Sequence, residues 1–290
     1  MCAALMALSE CELVEARATI SRALDEDLRY GPDVTTAATV PDGARTTASL
    51  ITREPGVIAG VDVALLVLDE VLGADGYRVL DRVDDGARLQ PGAPLLTIEA
   101  QMVGLLTAER TLLNLVCHLS GIATATAAWV DAVHGTKAKI RDTRKTLPGL
   151  RALQKYAVRV GGGVNHRLGL GDAALIKDNH VAAAGSVVAA LRAVRAAAPD
   201  LPCEVEVDSL EQLDEVLGER AELVLLDNFP VWQTQFAVQR RDARAPATKL
   251  ESAAVSNESP PEDYAGTGVD YLAVGALTHS ARVLDIGLDI

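Results

Sequence analysis

The chain has 290 residues, 49% of them hydrophobic, which is enough apolar material for a large α/β domain, or a barrel with a smaller domain, to fold without disulfides. Its 27 basic and 40 acidic side chains give a formal charge of −13, which excludes general binding to nucleic acid or to an anionic membrane surface. The four cysteines have no metal-binding or C-x-x-C spacing, and there is no signal peptide or membrane-span pattern, so we expect a soluble cytoplasmic protein with reduced thiols.

The first half of the chain predicts a small α+β domain. Ser9 and Glu12 have the spacing of a capping box and open an amphipathic helix. The apolar positions on one face of this helix are Leu13, Ile20 and Leu24. From about residue 45 to 100, short β-type runs such as TASLITR and PLLTIEA are separated by Gly, Pro and Asp turns. A long apolar helical segment follows, and we expect it to break at Ser120-Gly121.

After residue 136 the sequence alternates between strand-like and helix-like segments. The strand-like segments are KAKIRD, AALIKD, CEVEVD, AELVLLD, TKLE and DYLAVG. Repeated βα units require a parallel sheet, either doubly wound or closed into a barrel. Charged side chains stand at or just past most of the strand ends, namely Arg144, Lys145, Lys177, Glu206, Asp227 and Glu251. Because barrel enzymes gather their catalytic groups at such ends, this regularity favours a barrel.

Residues 141 to 167 form a basic island in an acidic chain, with seven basic side chains and one acid, Asp142. We expect a small, multiply charged anion to bind there. Three of the basic residues, Arg151, Lys155 and Arg159, follow one face of a helix at i, i+4 and i+8, and are interpreted as solvated. The remaining candidates lie in loops, where guanidinium groups suit bidentate binding of carboxylates. They are Arg144, Lys145, His166 and Arg167. The triple glycine before His166 is interpreted as a structural turn.

The segment CEVEVDS places three acids, Glu204, Glu206 and Asp208, on one face of a strand and two valines on the other. If the acidic face lies inside a barrel, its carboxylates need cations, a metal or ligand hydroxyls. Lys145 and Lys177 are the candidate cations, and a sugar diol with Mg²⁺ is a candidate ligand. If the valine face lies inside, the acids are solvated, and this alternative applies above all to Glu204 and Asp208.

The stretch RDTRKTLPGLRALQKYAVRVGGGVNHRLGLGDAALIKDNH closely resembles the signature region of the quinolinate phosphoribosyltransferases. The resemblance continues from DEDLRYGPDVTT through AERTLLNLVCHLSGIAT, EVEVDSLEQLDE and LLDNF to GVDYLAVGALTHSARVLDIGLDI. It implies an N-terminal α+β sandwich domain, residues 1–115, joined by the C-terminal tail 277–290. It also implies an open, incomplete parallel α/β barrel as the catalytic domain, residues 116–276, in a homodimer or an assembly of dimers.

The resemblance implies transfer of the phosphoribosyl group from phosphoribosyl pyrophosphate to quinolinate with decarboxylation, giving nicotinate mononucleotide, CO₂ and pyrophosphate in de novo NAD biosynthesis. The implied quinolinate-binding residues are Arg110, Thr143, Arg144, Lys145, His166, Arg167 and Lys177, with Arg110 reaching the site of the neighbouring subunit. The implied phosphoribosyl pyrophosphate residues are Glu206, Asp227, Ala253, Ala254, Val255, Val274, Gly275 and Ala276. Lys145, Lys177, Glu206 and Asp227 are the expected catalytic residues. Glu206 and Asp227 are expected to hold Mg²⁺, partly through water, and no organic cofactor is implied.

The sequence departs from the family pattern after Glu251-Ser252. A Ser-Gly-Gly loop that helps to hold the sugar phosphate in the family is replaced by Ala253-Ala254-Val255. Loss of a hydroxyl or backbone donor to phosphate costs about 1 to 3 kcal/mol. Two alternatives therefore stay open besides the active enzyme. One is a paralogue acting on another anionic ring, such as nicotinate, and the other is a catalytically impaired member that retains aromatic-diacid binding.

Overall fold

The computed structural model describes residues 8–73, 75–253 and 260–290, so Ala254 and Val255 lie outside the described residues. The chain forms two compact units. Unit 1 comprises Met1–Ala127, Thr146–Gly162 and Ala276–Ile290, and unit 2 comprises Ala128–Lys145 and Gly163–Gly275. The domain boundaries given from the sequence stay a prediction.

The elements of the first half, in chain order, are α1 (Glu10–Leu28), α2 (Val34–Thr39), β1 (Arg45–Thr52), β2 (Gly56–Val57), α3 (Val61–Leu72), β3 (Tyr77–Arg82), β4 (Arg88–Leu89), β5 (Pro94–Gln101) and α4 (Met102–Ala132). The second half contains β6 (Lys139–Arg141), α5 (Arg151–Val160), β7 (Ala174–Ile176), α6 (Asp178–Ala184), α7 (Val187–Ala197), β8 (Cys203–Val207), α8 (Leu210–Gly218), β9 (Leu223–Leu226), α9 (Val231–Arg244), β10 (Lys249–Ser252), α10 (Pro261–Gly266), β11 (Tyr271–Ala273), α11 (Ala276–His279) and β12 (Ile286–Asp289).

Unit 1 is built on a four-stranded sheet of order β12-β1-β5-β3, in which every pair is antiparallel. Alternate residues of β1 are buried, as expected for a strand with one covered face. Helix α3 packs against β3 and β5, and α1 packs against α3 and α5. The predicted capping box of α1 is confirmed, because Ser9 N donates to Glu12 Oε2 at 2.8 Å and Glu12 N donates to Ser9 Oγ at 3.3 Å. Ile20 and Leu24 are buried, but Leu13 is exposed.

Helix α4 continues through Ser120-Gly121, so the predicted break is wrong. Gly121 has a packing role instead: a Cβ there would lie 2.1 Å from the carbonyl oxygen of Arg282, which only a residue without a side chain permits. An 18-residue window of α4 reaches a mean hydropathy of 1.3, and 56% of that window is buried inside the protein, as in the core helix of a globular unit.

Helix α5 is not solvated on its basic face, which corrects the interpretation made from its spacing. Lys155 is 0% exposed, and Arg159 forms an ion pair with Glu12 at 2.7 Å. The helix ends at Gly161, where a Cβ would lie 2.5 Å from the carbonyl oxygen of Ala123. The triple glycine therefore serves close packing and chain reversal, as the structural interpretation predicted.

Unit 2 contains a six-stranded sheet of order β6-β11-β10-β9-β8-β7, and all of its pairs are parallel. Strands β6 and β7 occupy opposite ends of this order, and within residues 8–73, 75–253 and 260–290 no pairing joins them. The sheet is therefore open, and the predicted fold class, an open parallel α/β barrel with an α+β domain, is confirmed. Helices α7 and α8 pack against β8, and Val205 and Val207 of this strand are buried. Because successive side chains of a strand point to opposite faces, its acids lie on the other face from the valines.

Candidate active site

The predicted anion-binding loop follows directly after β6. Thr143, Arg144 and Lys145 come two to four residues after the end of the strand, and Thr143 Oγ1 accepts a hydrogen bond from Lys145 N at 3.0 Å. This side chain to backbone bond gives the loop a defined turn without regular secondary structure. The side chains of Thr143 and Arg144 are half-buried, and that of Lys145 is exposed.

Arg144 and Arg167 are the residues that most clearly indicate an anion-binding site. Each guanidinium has a buried Nε that makes no hydrogen bond to the part of the chain that the structure describes. Burial, followed by the positive charge of Arg144, lowers the pKa of Arg167 below its usual value. Two neighbouring cations with unused donors are typical of a site that a negatively charged ligand completes.

His166 is placed by the strand beside it. Val164 forms a parallel bridge with Arg141, with Val164 N donating to Ile140 O at 2.8 Å. His166 N then donates to the buried carboxylate of Asp142 at 2.8 Å, and its Nε2 lies 2.6 Å from Glu204 Oε2. The imidazole is 7% exposed, so its orientation is fixed by packing as well as by hydrogen bonds.

A largely buried cluster of charged side chains surrounds Glu204 of β8. It consists of Arg141, His166, Glu204 and Glu251, and Arg141 Nη1 forms an ion pair with Glu251 Oε2. Burial raises the pKa of Glu204 to about 7. Burial, followed by the charge of Glu204, raises the pKa of Glu251 to about 7 as well. One oxygen of each carboxylate, Oε1, is buried without a hydrogen-bond partner among the described residues.

Ligand atoms of His166, Glu204 and Glu251 lie within 4.8 Å of one another, which is close enough to hold a metal ion. However, the guanidinium of Arg141 already contacts Glu251, and both carboxylates favour its charged form, offsetting the effect of burial on its pKa. A buried guanidinium neutralises carboxylates as a metal would. The geometry therefore favours an ion-pair network of the protein itself at this position.

The two alternatives for the acidic face of β8 are resolved residue by residue. Glu204 is 4% exposed, so the solvated interpretation is wrong for it, whereas Asp208 is exposed as that interpretation expects. Lys177, one of the two candidate cations, holds its Nζ 3.6 Å from Glu206 Oε2. The carboxylates of Glu204 and Glu206 are tolerated there because arginine, lysine and histidine groups lie close to them.

Glu206 and Asp227 lie at the ends of the neighbouring strands β8 and β9. Glu206 pairs with Leu225, and Asp227 N donates to Val207 O at 3.0 Å. Both acids line a cavity of about 310 Å³ together with Asp178 and Asp208. Burial raises the pKa of Glu206, with Lys177 opposing and Asp227 adding to this effect. Such a set of hard oxygen donors is chemically suited to Mg²⁺ and to sugar hydroxyls.

In the segments expected to bind phosphate, two backbone N–H groups already donate to carbonyl oxygens of the protein. Ala253 N donates to Leu226 O at 3.2 Å, so this backbone donor is used within the sheet, and Ser252 is fully buried. Val274 N likewise donates to Arg141 O at 2.9 Å. Gly275 lies between β11 and α11, and Ala276 is the first residue of α11. Ala254 and Val255 fall outside the described residues.

Arg110 is exposed on α4 in unit 1. Arg141, Asp142 and Asp178 also contribute to this region, although the residue pattern did not single them out as site residues. A signal existed for Asp142, because a single acid within a basic island is a natural hydrogen-bonding partner for the loop. For Glu204, the residue spacing showed the face of the strand but could not show which face was covered.

Two family models match the chain. Quinolinate phosphoribosyl transferase, N-terminal domain, matches residues 33–120, and quinolinate phosphoribosyl transferase, C-terminal domain, matches residues 122–289. The chain is 78% identical over 283 residues to the nicotinate-nucleotide pyrophosphorylase (carboxylating) of Mycobacterium leprae (strain TN), covering 98% of this chain and 100% of that protein.

Solved structures give the same result. The nicotinate-nucleotide pyrophosphorylase from Francisella tularensis superimposes with a TM-score of 0.88 at 34% identity and covers 95% of both chains. The enzyme of the same name from Ehrlichia chaffeensis has a TM-score of 0.88 at 35% identity and covers 97% of this chain and 98% of its own. The chain therefore belongs to the quinolinate phosphoribosyltransferase family of glycosyltransferase enzymes.

Proposed function

We propose that the protein transfers the phosphoribosyl group of phosphoribosyl pyrophosphate to quinolinate, with decarboxylation, in NAD biosynthesis. The observation that carries this proposal is the pair Arg144 and Arg167, whose buried Nε donors have no protein partner within the described residues. Quinolinate is a dianion with two adjacent carboxylates, and two guanidinium groups with unused donors match it in charge and in hydrogen bonding.

We assign quinolinate binding to Thr143, Arg144, Lys145, His166, Arg167 and Lys177, with Arg110 supplied by the neighbouring subunit. The pyridine nitrogen attacks the anomeric carbon of the ribose, and pyrophosphate leaves with the electrons of the broken bond. The bond to the 2-carboxylate then breaks, CO₂ leaves, and the ring carbon takes up a proton. The ammonium group of Lys177 stabilises the negative charge that develops on that carbon.

Phosphoribosyl pyrophosphate is assigned to the acidic strand ends and to the turn after β11. Glu206 and Asp227 bind the ribose hydroxyls and would hold Mg²⁺, and the backbone N–H groups of Gly275 and Ala276, which follow Val274, face the 5′-phosphate. When bound, Mg²⁺ neutralises charge on the leaving pyrophosphate. The protein performs no covalent step itself, because its contribution is to align the two reacting atoms and to place fixed charges around them.

The proposal extends to the assembly and its location. We assign residues 1–115 with the tail 277–290 to the N-terminal domain and residues 116–276 to the catalytic domain. The protein acts as a cytoplasmic homodimer, or an assembly of dimers, in which Arg110 crosses to the partner's site. It binds neither nucleic acid nor membranes and uses no organic cofactor besides its substrates.

The test is incubation of the protein with quinolinate, phosphoribosyl pyrophosphate and Mg²⁺, followed by measurement of CO₂ and nicotinate mononucleotide. Nicotinate serves as the control acceptor, because a monoacid leaves part of the cationic set unpaired. We expect product from quinolinate only. If no product forms while calorimetry still detects quinolinate binding, the proposal fails and the catalytically impaired alternative replaces it. Product from nicotinate would favour the paralogue.

A further inference from the structure

A buried glutamine makes three hydrogen bonds that the proposed chemistry does not use. Gln154 lies on α5 and is 0% exposed. Its Oε1 accepts from Leu147 N at 3.0 Å, and its Nε2 donates to Thr278 O at 2.9 Å. The second Nε2 proton is directed at His118 Nε2, 2.8 Å away. Both donor hydrogens and the acceptor of the amide are thereby used, which fixes its orientation.

The histidine contact is consistent with this assignment. An amide N–H can donate to His118 Nε2 only when that nitrogen is unprotonated, so the ring is neutral with its proton on Nδ1. Burial lowers the pKa of His118, which favours the same neutral form. The three partners of Gln154 therefore hold its side chain in one position.

Two of these partners lie next to proposed substrate-binding segments. Leu147 comes two residues after Lys145, and Thr278 comes three residues after Gly275. The two segments begin at neighbouring strand ends, because β6 pairs with β11 and Val274 N donates to Arg141 O at 2.9 Å. The residues that follow the two segments along the chain, Leu147 and Thr278, thus bond to the same amide.

We propose that Gln154 is a positioning residue for both substrates, since it fixes the far ends of the Arg144-Lys145 loop and the Gly275-Ala276 turn together. The inference rests on the proposed function, which assigns quinolinate to the first segment and the 5′-phosphate to the second. A segment held at one end only can shift by several ångströms, because each residue spans about 3.3 to 3.6 Å. A misplacement of about 1 Å costs on the order of 100-fold in rate when two reacting atoms must be aligned.

Two substitutions separate the contributions of the amide. Gln154→Met keeps the length of the side chain but removes all three hydrogen bonds, so KM should rise for both substrates and kcat should fall by about 10- to 100-fold. Gln154→Glu retains an acceptor for Leu147 N but loses the donors to Thr278 O and His118 Nε2. In this variant KM for phosphoribosyl pyrophosphate should rise about tenfold, and KM for quinolinate should change much less.

Tyr156→Phe is the matched control. Tyr156 lies on the same helix and is 1% exposed, and its hydroxyl donates to Asp85 Oδ2 at 2.5 Å, an atom of neither substrate segment. The control should lower the melting temperature as the Gln154 variants do, while both KM values and kcat stay at the wild-type level. The two KM values would not respond selectively if Gln154 served stability alone.

The outcomes are distinct. A wild-type protein that makes no product overturns the proposed function, and the inference with it. If the wild type is active but both Gln154 variants show the kinetic constants of Tyr156→Phe, the inference alone is wrong. An equal rise of both KM values in Gln154→Glu would also overturn it, because the retained acceptor still holds Leu147 and the lost donor to Thr278 O must act mainly on the other segment.

Discussion

The buried cluster of Arg141, His166, Glu204 and Glu251 should make the stability of the protein depend on pH. The substitution Glu204→Gln should reduce that dependence. In the folded protein the pKa of Glu204 is about 7 rather than 4.5, so the folded state binds the proton more tightly than the unfolded state. This contribution stabilises the fold below about pH 4.5 and is lost as the pH rises to about 7. At about 1.36 kcal/mol per pH unit, the loss amounts to about 3 kcal/mol.

Glutamine removes the titrating group but keeps an oxygen for His166 Nε2, which lies 2.6 Å from Glu204 Oε2. The substitution also removes the negative charge that raises the pKa of Glu251. The pH dependence of stability that comes from Glu251 therefore becomes smaller as well. His118 opposes this trend, because its lowered pKa makes the fold more stable as the pH rises. The difference between wild type and variant cancels that contribution, and it is therefore the quantity to measure.

Urea unfolding followed by circular dichroism at pH 5, 6, 7 and 8 gives the free energy of unfolding of both proteins. We expect the stability of the wild type relative to Glu204→Gln to fall by about 3 kcal/mol from pH 5 to pH 8. A difference between wild type and Glu204→Gln that stays constant over this range would refute the reasoning.

Three further predictions concern the anion site, the altered loop and the core. Arg144→Ala removes a charge-assisted donor to the diacid, so the Kd for quinolinate measured by calorimetry should rise by a factor corresponding to about 1.5 to 3 kcal/mol, roughly 10- to 150-fold. The triple substitution Ala253→Ser, Ala254→Gly and Val255→Gly restores the loop of the family and should lower KM for phosphoribosyl pyrophosphate in steady-state assays. Gly121→Ala places a Cβ 2.1 Å from Arg282 O and should lower the free energy of unfolding by about 1 to 3 kcal/mol in urea titrations.

The predictions for Arg144 and Gly121 each have a control within the chain. Arg192 pairs with Glu219 on an exposed surface of unit 2, so Arg192→Ala should leave the Kd for quinolinate unchanged. Gly218 has no atom within 4 Å of an added Cβ, so Gly218→Ala should be tolerated. An unchanged KM in the loop variant would mean that phosphate is held through other groups, and a neutral Gly121→Ala would mean that residues 282 and 283 move away at little cost.

Local sequence patterns predicted a large part of the fold. The capping box of α1, the alternation of strand and helix after residue 136 and the charged residues at strand ends all depend on spacing along the chain, which the sequence contains in full. Two local predictions were wrong for one reason. The break expected at Ser120-Gly121 and the solvated face expected for α5 both required knowledge of what packs against the helix, and periodicity does not contain that information.

The sequence by itself determined the family, the parallel βα architecture and the identity of the residues proposed to bind the diacid and the sugar. These conclusions depend on long motifs and on residue spacing, which can be read from the sequence alone. Tertiary structure decided which of these groups are buried and with whom. Val205 and Val207 are buried on one face of β8, and Glu204 on the other face meets His166 and the charge of Arg141 instead of water. Only the folded chain brings Leu147 and Thr278 to one amide of Gln154, because burial and pairing arise between segments that are distant in the sequence.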